Sequence, residues 1–189
     1  MNTIFSLPMD IYKNRRLVGK LAKNDFKTRY AGSYLGIVWA FIQPVITILV
    51  YWFVFSVGFR SGTGDLGVPF VLYLVAGIVP WFFFQDALIG GTNSLLEYNY
   101  LVKKVVFNIS VLPVVKIISA MFVHAFFVLF TIILYAAYGK FPDIYYLQII
   151  YYSGCVFLLV LGLSYATSAI VIFFRDLTQI INIVLQVGV

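Results

Sequence analysis

Few residues in this chain are equipped for chemistry, and they stand apart. One His124, one Cys155 and seven carboxylates are spread over 189 residues. A metal site needs three or four ligands at tight spacing, and a lone histidine offers one. No G-x-x-x-x-G-K-[ST] phosphate loop occurs, so the chain is not expected to bind ATP by itself. Ser, His and carboxylate form no nucleophilic set, and Asp86 and Glu97 have no evident partner in the sequence. The expectation is a protein with no catalytic residue, no cofactor and no metal of its own. Cys155 lies in an apolar run and reads as a small packing residue, since one cysteine makes no intrachain disulfide.

The remaining residues are overwhelmingly apolar. Hydrophobic residues make up 62% and charged residues 11% of the chain, where a soluble domain carries roughly 25% charged residues. Mean hydropathy is +0.99. A water-soluble surface cannot hide that much apolar side chain, so the bilayer is the solvent. Uncharged runs at residues 31–59, 66–85, 117–139 and 145–174 are each long enough for a crossing, which takes about 20 helical residues. Spans are expected over residues 33–59, 67–90, 113–139 and 145–174. A fifth apolar stretch, 177–189, covers only about 20 Å as a helix, so it reads as a partial span, and the membrane domain over residues 1–189 as C-terminally incomplete. The fold class is an all-α, polytopic helix bundle.

Charge sets the orientation. With a cytoplasmic N-terminus, eleven Lys and Arg fall inside: seven between Lys13 and Arg29, then Lys103, Lys104, Lys116 and Arg175. Only Arg60 and Lys140 fall outside. That bias follows the positive-inside rule, and it explains the basic N-terminus without invoking nucleic acid. Within residues 10–30, Lys13, Arg16, Lys20, Lys23 and Lys27 share an arc of about 80° on a helix, with Ile11, Leu17, Val18, Leu21, Ala22 and Phe26 opposite. This predicts an amphipathic helix on the cytoplasmic leaflet, lysines toward anionic headgroups; the plainer alternative is a flexible basic tail. Arg15, Asp25 and Arg29 break its pattern.

Two further patterns concern function. In "NSLLEYNYLVKKVVFN", residues 93–108, Ser94 and Glu97 have capping-box spacing and predict a helix start. Leu95, Tyr98, Leu101, Val102, Val105 and Val106 fall on one face, while Glu97, Lys103 and Lys104 lie elsewhere with Leu96, Tyr100 and Phe107. Aromatic anchors mixed with both signs of charge suit docking to a soluble partner. In the first span, Tyr30, Tyr34, Phe41, Trp52, Phe55 and Phe59 share an arc of about 60° on an unbroken helix. Such a stripe means either helix packing and lipid contact, or a stacking rail for sugar rings in which Phe41, Trp52 and Phe55 face a translocation path.

The segments "LAKNDFKTRYAGSYLGIVWAFIQPV", "YLVAGIVPWFFFQDALIGGTNSLLEYNYLVKKVVFN" and "VIFFRDLTQIINIVLQ" resemble the membrane subunit of type-2 ABC transporters that export cell-surface polysaccharides such as O-antigen, capsule or teichoic acid. The resemblance runs over essentially the whole chain. It implies six spans, an N-terminal interfacial helix and a cytoplasmic coupling helix between spans two and three, here with Ser94, Glu97, Tyr98, Tyr100, Leu101, Lys103 and Lys104. It also implies a plasma-membrane homodimer that moves a lipid-linked glycan, with ATP and Mg bound and hydrolysed in a separate ATP-binding subunit. The competing readings are a type-2 ABC exporter of a small hydrophobic compound and a membrane-embedded glycosyl- or acyltransferase. The last would need an ionisable cluster near the interface, which the sequence does not display.

Overall fold

A computed structural model describes residues 14–58, 68–98 and 109–188, and among these it is entirely helical outside turns. Helix α1 is Arg15–Arg29, α2 Trp39–Phe53, α3 Phe70–Glu97, α4 Leu112–Ala137, α5 Leu147–Val171 and α6 Leu177–Val187. Single 3-10 turns at Gly36–Val38, Ile109–Val111 and Ile144–Tyr146 lead into α2, α4 and α5, and a π-helical turn, Val54–Gly58, succeeds α2. Counting those turns, four of the described helical segments are long and apolar enough to cross a membrane, and α6 is a shorter apolar helix. Each of the four overlaps one of the runs expected to span, the second continuing past residue 90 to Glu97.

Helix α3 is the central post, touching α2, α4, α5 and α6. Phe83, Ala87 and Leu88 of α3 form one core with Ile117 and Ala120 of α4, Val160 of α5 and Leu185 of α6. Val75, Ile78 and Val79 form a second with Ile48 of α2 and Phe127 of α4. Helix α5 meets α3 almost backbone to backbone. A Cβ on Gly91 would lie 2.2 Å from Ser164 Oγ, and the Thr92 and Thr167 hydroxyls hydrogen-bond at 2.7 Å. Small residues and hydroxyls are how helices associate where lipid removes the hydrophobic drive. The outer faces are apolar, with Leu129, Ile133, Ile150, Leu158 and Phe173 exposed, which lipid tolerates and water would not.

Two expectations are corrected. Ser94 does not start a helix: it lies in the last turn of α3, where its Oγ donates to the Gly91 carbonyl and its own carbonyl accepts the Tyr98 amide. The Ser-x-x-Glu spacing closes a long helix here, because apolar packing carries α3 through to Glu97. The aromatic arc also fails as a continuous stripe, since it assumed one unbroken α-helix from Tyr30 to Phe59. The chain turns over residues 30–35, tightens at Gly36–Val38 and widens at Val54–Gly58, and each change of period rotates the side chains beyond it. Phe59 lies outside the described residues, as do Tyr100, Leu101, Lys103 and Lys104 with the remainder of 99–108.

Candidate functional site

Helix α1 turns its apolar stripe onto protein. Val18 and Ala22 are buried against Val111, Val114 and Val115 at the start of α4, while Lys20, Lys23 and Lys27 stay exposed. The same packing carries Asp25, one turn further along, into the interior. There Asp25 and Arg29, two of the residues that broke the amphipathic pattern, find their partners.

Lys116, in the second turn of α4, sends its ammonium to Asp25 Oδ1 at 2.6 Å and to Glu97 Oε2 at the end of α3. The Tyr98 hydroxyl donates to the same Asp25 oxygen at 2.7 Å, and the Lys116 Nζ lies 5.1 Å from the Tyr98 ring centre. Arg29 Nη1 reaches both carboxylate oxygens of Asp86 at 2.7 Å, and its Nη2 stands 3.6 Å from Asp25. Two cations and three carboxylates thus bind α1, the second half of α3 and the beginning of α4 into one junction. Asp25 and Lys116 are 4% and 6% exposed, so this pair forms the buried heart of the junction.

The electrostatics match the geometry. Burial pushes the Asp25 carboxyl up, but hydrogen bonds from Lys116 and Tyr98 outweigh it and hold the carboxyl below its ordinary value. Burial likewise works against the Arg29 charge, and Asp86 more than offsets it. A charge pair this dry gains little net stability over an apolar pair. Losing one partner is what hurts, at about 3–5 kcal/mol. Ion pairs of this kind specify an arrangement.

Asp86 also borders a second feature. A cavity of about 420 Å³ lies between α2, α3, α4 and α6. Gln43 and Thr47 of α2, Gln85 and Asp86 of α3, and Asn182 and Gln186 of α6 line it, with the rings of Tyr30, Trp39 and Tyr51. Uncharged amides and hydroxyls beside aromatic rings, at membrane depth, make a hydrogen-bonding, stacking surface. Phe41, Trp52 and Phe55 do not line this cavity. Phe41 packs on Phe126 of α4 with ring centres 4.4 Å apart, Phe55 meets Phe70 of α3 at 5.7 Å, and Trp52 is exposed. Among the described residues, no three metal-ligating side chains converge.

Residues 16–189 match the family described as ABC-2 type transporter. The chain belongs to the ABC-2 type transporter family. With its four apolar crossing helices, this ABC-2 chain is a multi-pass membrane protein of a transport family. It is 29% identical over 179 residues to an O-antigen export system permease protein RfbA of Myxococcus xanthus, covering 93% of this chain and 66% of that protein. Two permeases of the same name from Klebsiella pneumoniae are 28% and 24% identical, each alignment covering 86% of this chain and 62% of the relative. The ABC-2 chain therefore spans just under two thirds of the length of these relatives.

Of the docking residues expected from sequence, Ser94, Glu97 and Tyr98 sit at the end of α3, with Glu97 and Tyr98 inside the ionic junction. Asp25, Arg29, Asp86 and Lys116 were missed as a site. Their signal was present: Asp25 and Arg29 violated the lysine arc, and Asp86 and Lys116 are charges at the edges of spans. What the sequence lacked was proximity, since Arg29 and Asp86 are 57 positions apart and Asp25 and Lys116 are 91.

Proposed function

We propose that this chain is the permease of an ATP-driven exporter of a cell-surface polysaccharide, working as a homodimer with a separate ATP-binding subunit. The observation that carries the reading is the ionic junction. It joins α1 to the two helices that flank residues 99–108, the segment we assign to docking on the ATPase. Any push delivered between Glu97 and Ile109 enters α3 and α4 where Lys116 ties both to α1. The three helices then tilt together, and the polar cavity next to Asp86 is reshaped as they do. A bundle with two arrangements needs only such a bias to alternate between them.

The substrate class rests on the curated relatives, named as O-antigen export permeases, and on the chemistry of the cavity. Amides and aromatic rings suit a neutral or weakly charged glycan chain. A small hydrophobic cargo would have no use for Gln43, Gln85, Asn182 and Gln186 in its lining. The orientation rests on the charge bias: α1 and residues 93–112 on the cytoplasmic face, residues 60–67 and 139–144 outside.

The test is made in the full-length protein with its ATPase. Tyr100→Ala with Glu97→Lys is expected to leave the permease inserted while the ATPase co-purifies poorly, or hydrolyses ATP with surface glycan lost. Wild-type co-purification and export in that double variant would reject docking through this segment. Single-cysteine labelling in a Cys155→Ser background checks orientation, Ser61→Cys being expected to react from outside intact cells.

A further inference from the structure

A larger cavity, of about 600 Å³, lies on another side of the bundle between α3, α4 and α5. Its chemistry differs from that of the polar cavity. No Asp, Glu, Lys or Arg lines it, and α2 and α6 contribute nothing to it. Nearer the ionic junction it is lined by Val79, Pro80, His124, Val128, Ser153 and Val156; Val79 and His124 are buried, Pro80 is exposed, and Ser153 Oγ hydrogen-bonds with His124 Nε2 at 3.2 Å. Toward the end remote from the ionic junction the lining becomes tyrosine and amide: Tyr135, Tyr145, Tyr146 and Gln148. Tyr135 and Tyr146 have their hydroxyls tied to the Leu72 and Lys140 carbonyls, while Tyr145 and Gln148 are exposed.

These observations together point to one occupant. From His124 to Tyr135 the cavity runs along α4 for about 16 Å, close to the half of the ~30 Å hydrocarbon core that belongs to one leaflet. Its volume lies within the ~300–1,000 Å³ of a built ligand site. It is flanked by side chains exposed to lipid, such as Leu129 and Tyr151. A mainly apolar slot one leaflet deep, without an acidic or basic side chain other than His124 and rimmed by tyrosines, matches the length of a lipid tail standing upright. We infer that it holds an acyl tail of a bilayer phospholipid, with the headgroup at the Tyr145–Gln148 rim. The cavity wall includes Pro80, where α3 lacks a backbone donor. A tail in place would support α3 at this weak point.

The experiment uses the full-length permease with its ATPase in vesicles containing a phosphatidylethanolamine that carries a diazirine in one acyl tail. Adducts mapped by mass spectrometry are expected to concentrate between His124 and Val156. They should fall at least fivefold in Val128→Trp and in Ala76→Phe, two variants that fill the slot from different helices. Both variants are first shown to be monodisperse and to retain the ATPase, so that loss of adducts is not loss of fold. Adducts spread evenly over lipid-facing positions such as Leu129 and Leu158, unchanged by either variant, would overturn the assignment. So would labelling displaced by an equimolar polyprenyl phosphate and not by unlabelled phospholipid, or a photocrosslinker at Val128 that captures another segment of the chain.

Discussion

The two ends of the bundle are held together by different means. At one end, α1, α3 and α4 are cross-tied by Asp25, Arg29, Asp86, Glu97, Tyr98 and Lys116, and α3 touches α5 through Gly91 and Ser164 with no space between. At the other, α3, α4 and α5 surround a void, and the first two meet through the apolar core of Val75, Ile78, Val79 and Phe127 with a hydrogen bond from Tyr135 to the Leu72 carbonyl. Hydrogen-bonded ion pairs and glycine contacts fix one orientation of the helices. Apolar contacts in lipid do not, because a lipid tail replaces a side chain at little cost. On the function proposed above, a drive arriving at the tied end would move α1, α3 and α4 together and be taken up as a change of shape at the open end.

The strongest way to break the contrast is Gly91→Val. A Cβ there lands 2.2 Å from Ser164 Oγ and 2.6 Å from its Cβ, so α3 and α5 must separate. Loss of folded protein in the membrane fraction is expected, and Gly91→Val combined with Ser164→Gly should recover part of it. Lys116→Met comes next. It leaves buried Asp25 with the Tyr98 hydroxyl and the more distant Arg29 as its partners, and should cost at most about 3–5 kcal/mol, read as lowered thermal stability in detergent. Asp25→Leu with Lys116→Met should be much closer to wild type in stability yet still fail in export, which separates specifying an arrangement from holding the fold.

At the open end, Tyr135→Phe removes one hydrogen bond and should cost about 1 kcal/mol. Glu97→Gln should be milder still, since its side chain is 52% exposed and solvent screens the pair. Acid gives the smallest effect over the working range. The Asp25 carboxyl is held below its ordinary value when folded, so its stabilisation is complete above the unfolded value of about 4 and lost only as pH falls through the lower folded value. Melting temperature should therefore be flat in this respect from neutral pH down to about 5, and decline below it.

The spans were legible because lipid excludes charge, so uncharged runs delimit them whatever packs against what. Helix α1 was half legible. Its lysine arc identified the exposed face, but the apolar face is covered by Val111, Val114 and Val115, and composition does not distinguish a neighbouring helix from acyl chains. The end of α3 was misread because Ser-x-x-Glu is a local signal. Glu97 answers to Lys116, nineteen positions on, and not to the amide of Ser94. The aromatic stripe failed for a geometric reason, since one 3-10 turn and one π turn suffice to scatter an arc drawn at a constant 100°.

Lys116 has two carboxylate partners, and they are unequal. Asp25 is enclosed by α1 and α4, whereas Glu97 is half in water. An ammonium on a flexible stem carries three donors and turns freely, which the planar fork of an arginine does not. Glu97 can therefore leave for solvent while Asp25 keeps the buried charge compensated. Tyr98 still holds the end of α3 to Asp25 when Glu97 lets go, so the Lys116–Glu97 contact is the one arm of the junction free to open while the buried arm keeps its place. Lys116→Arg would keep every charge and lose that freedom.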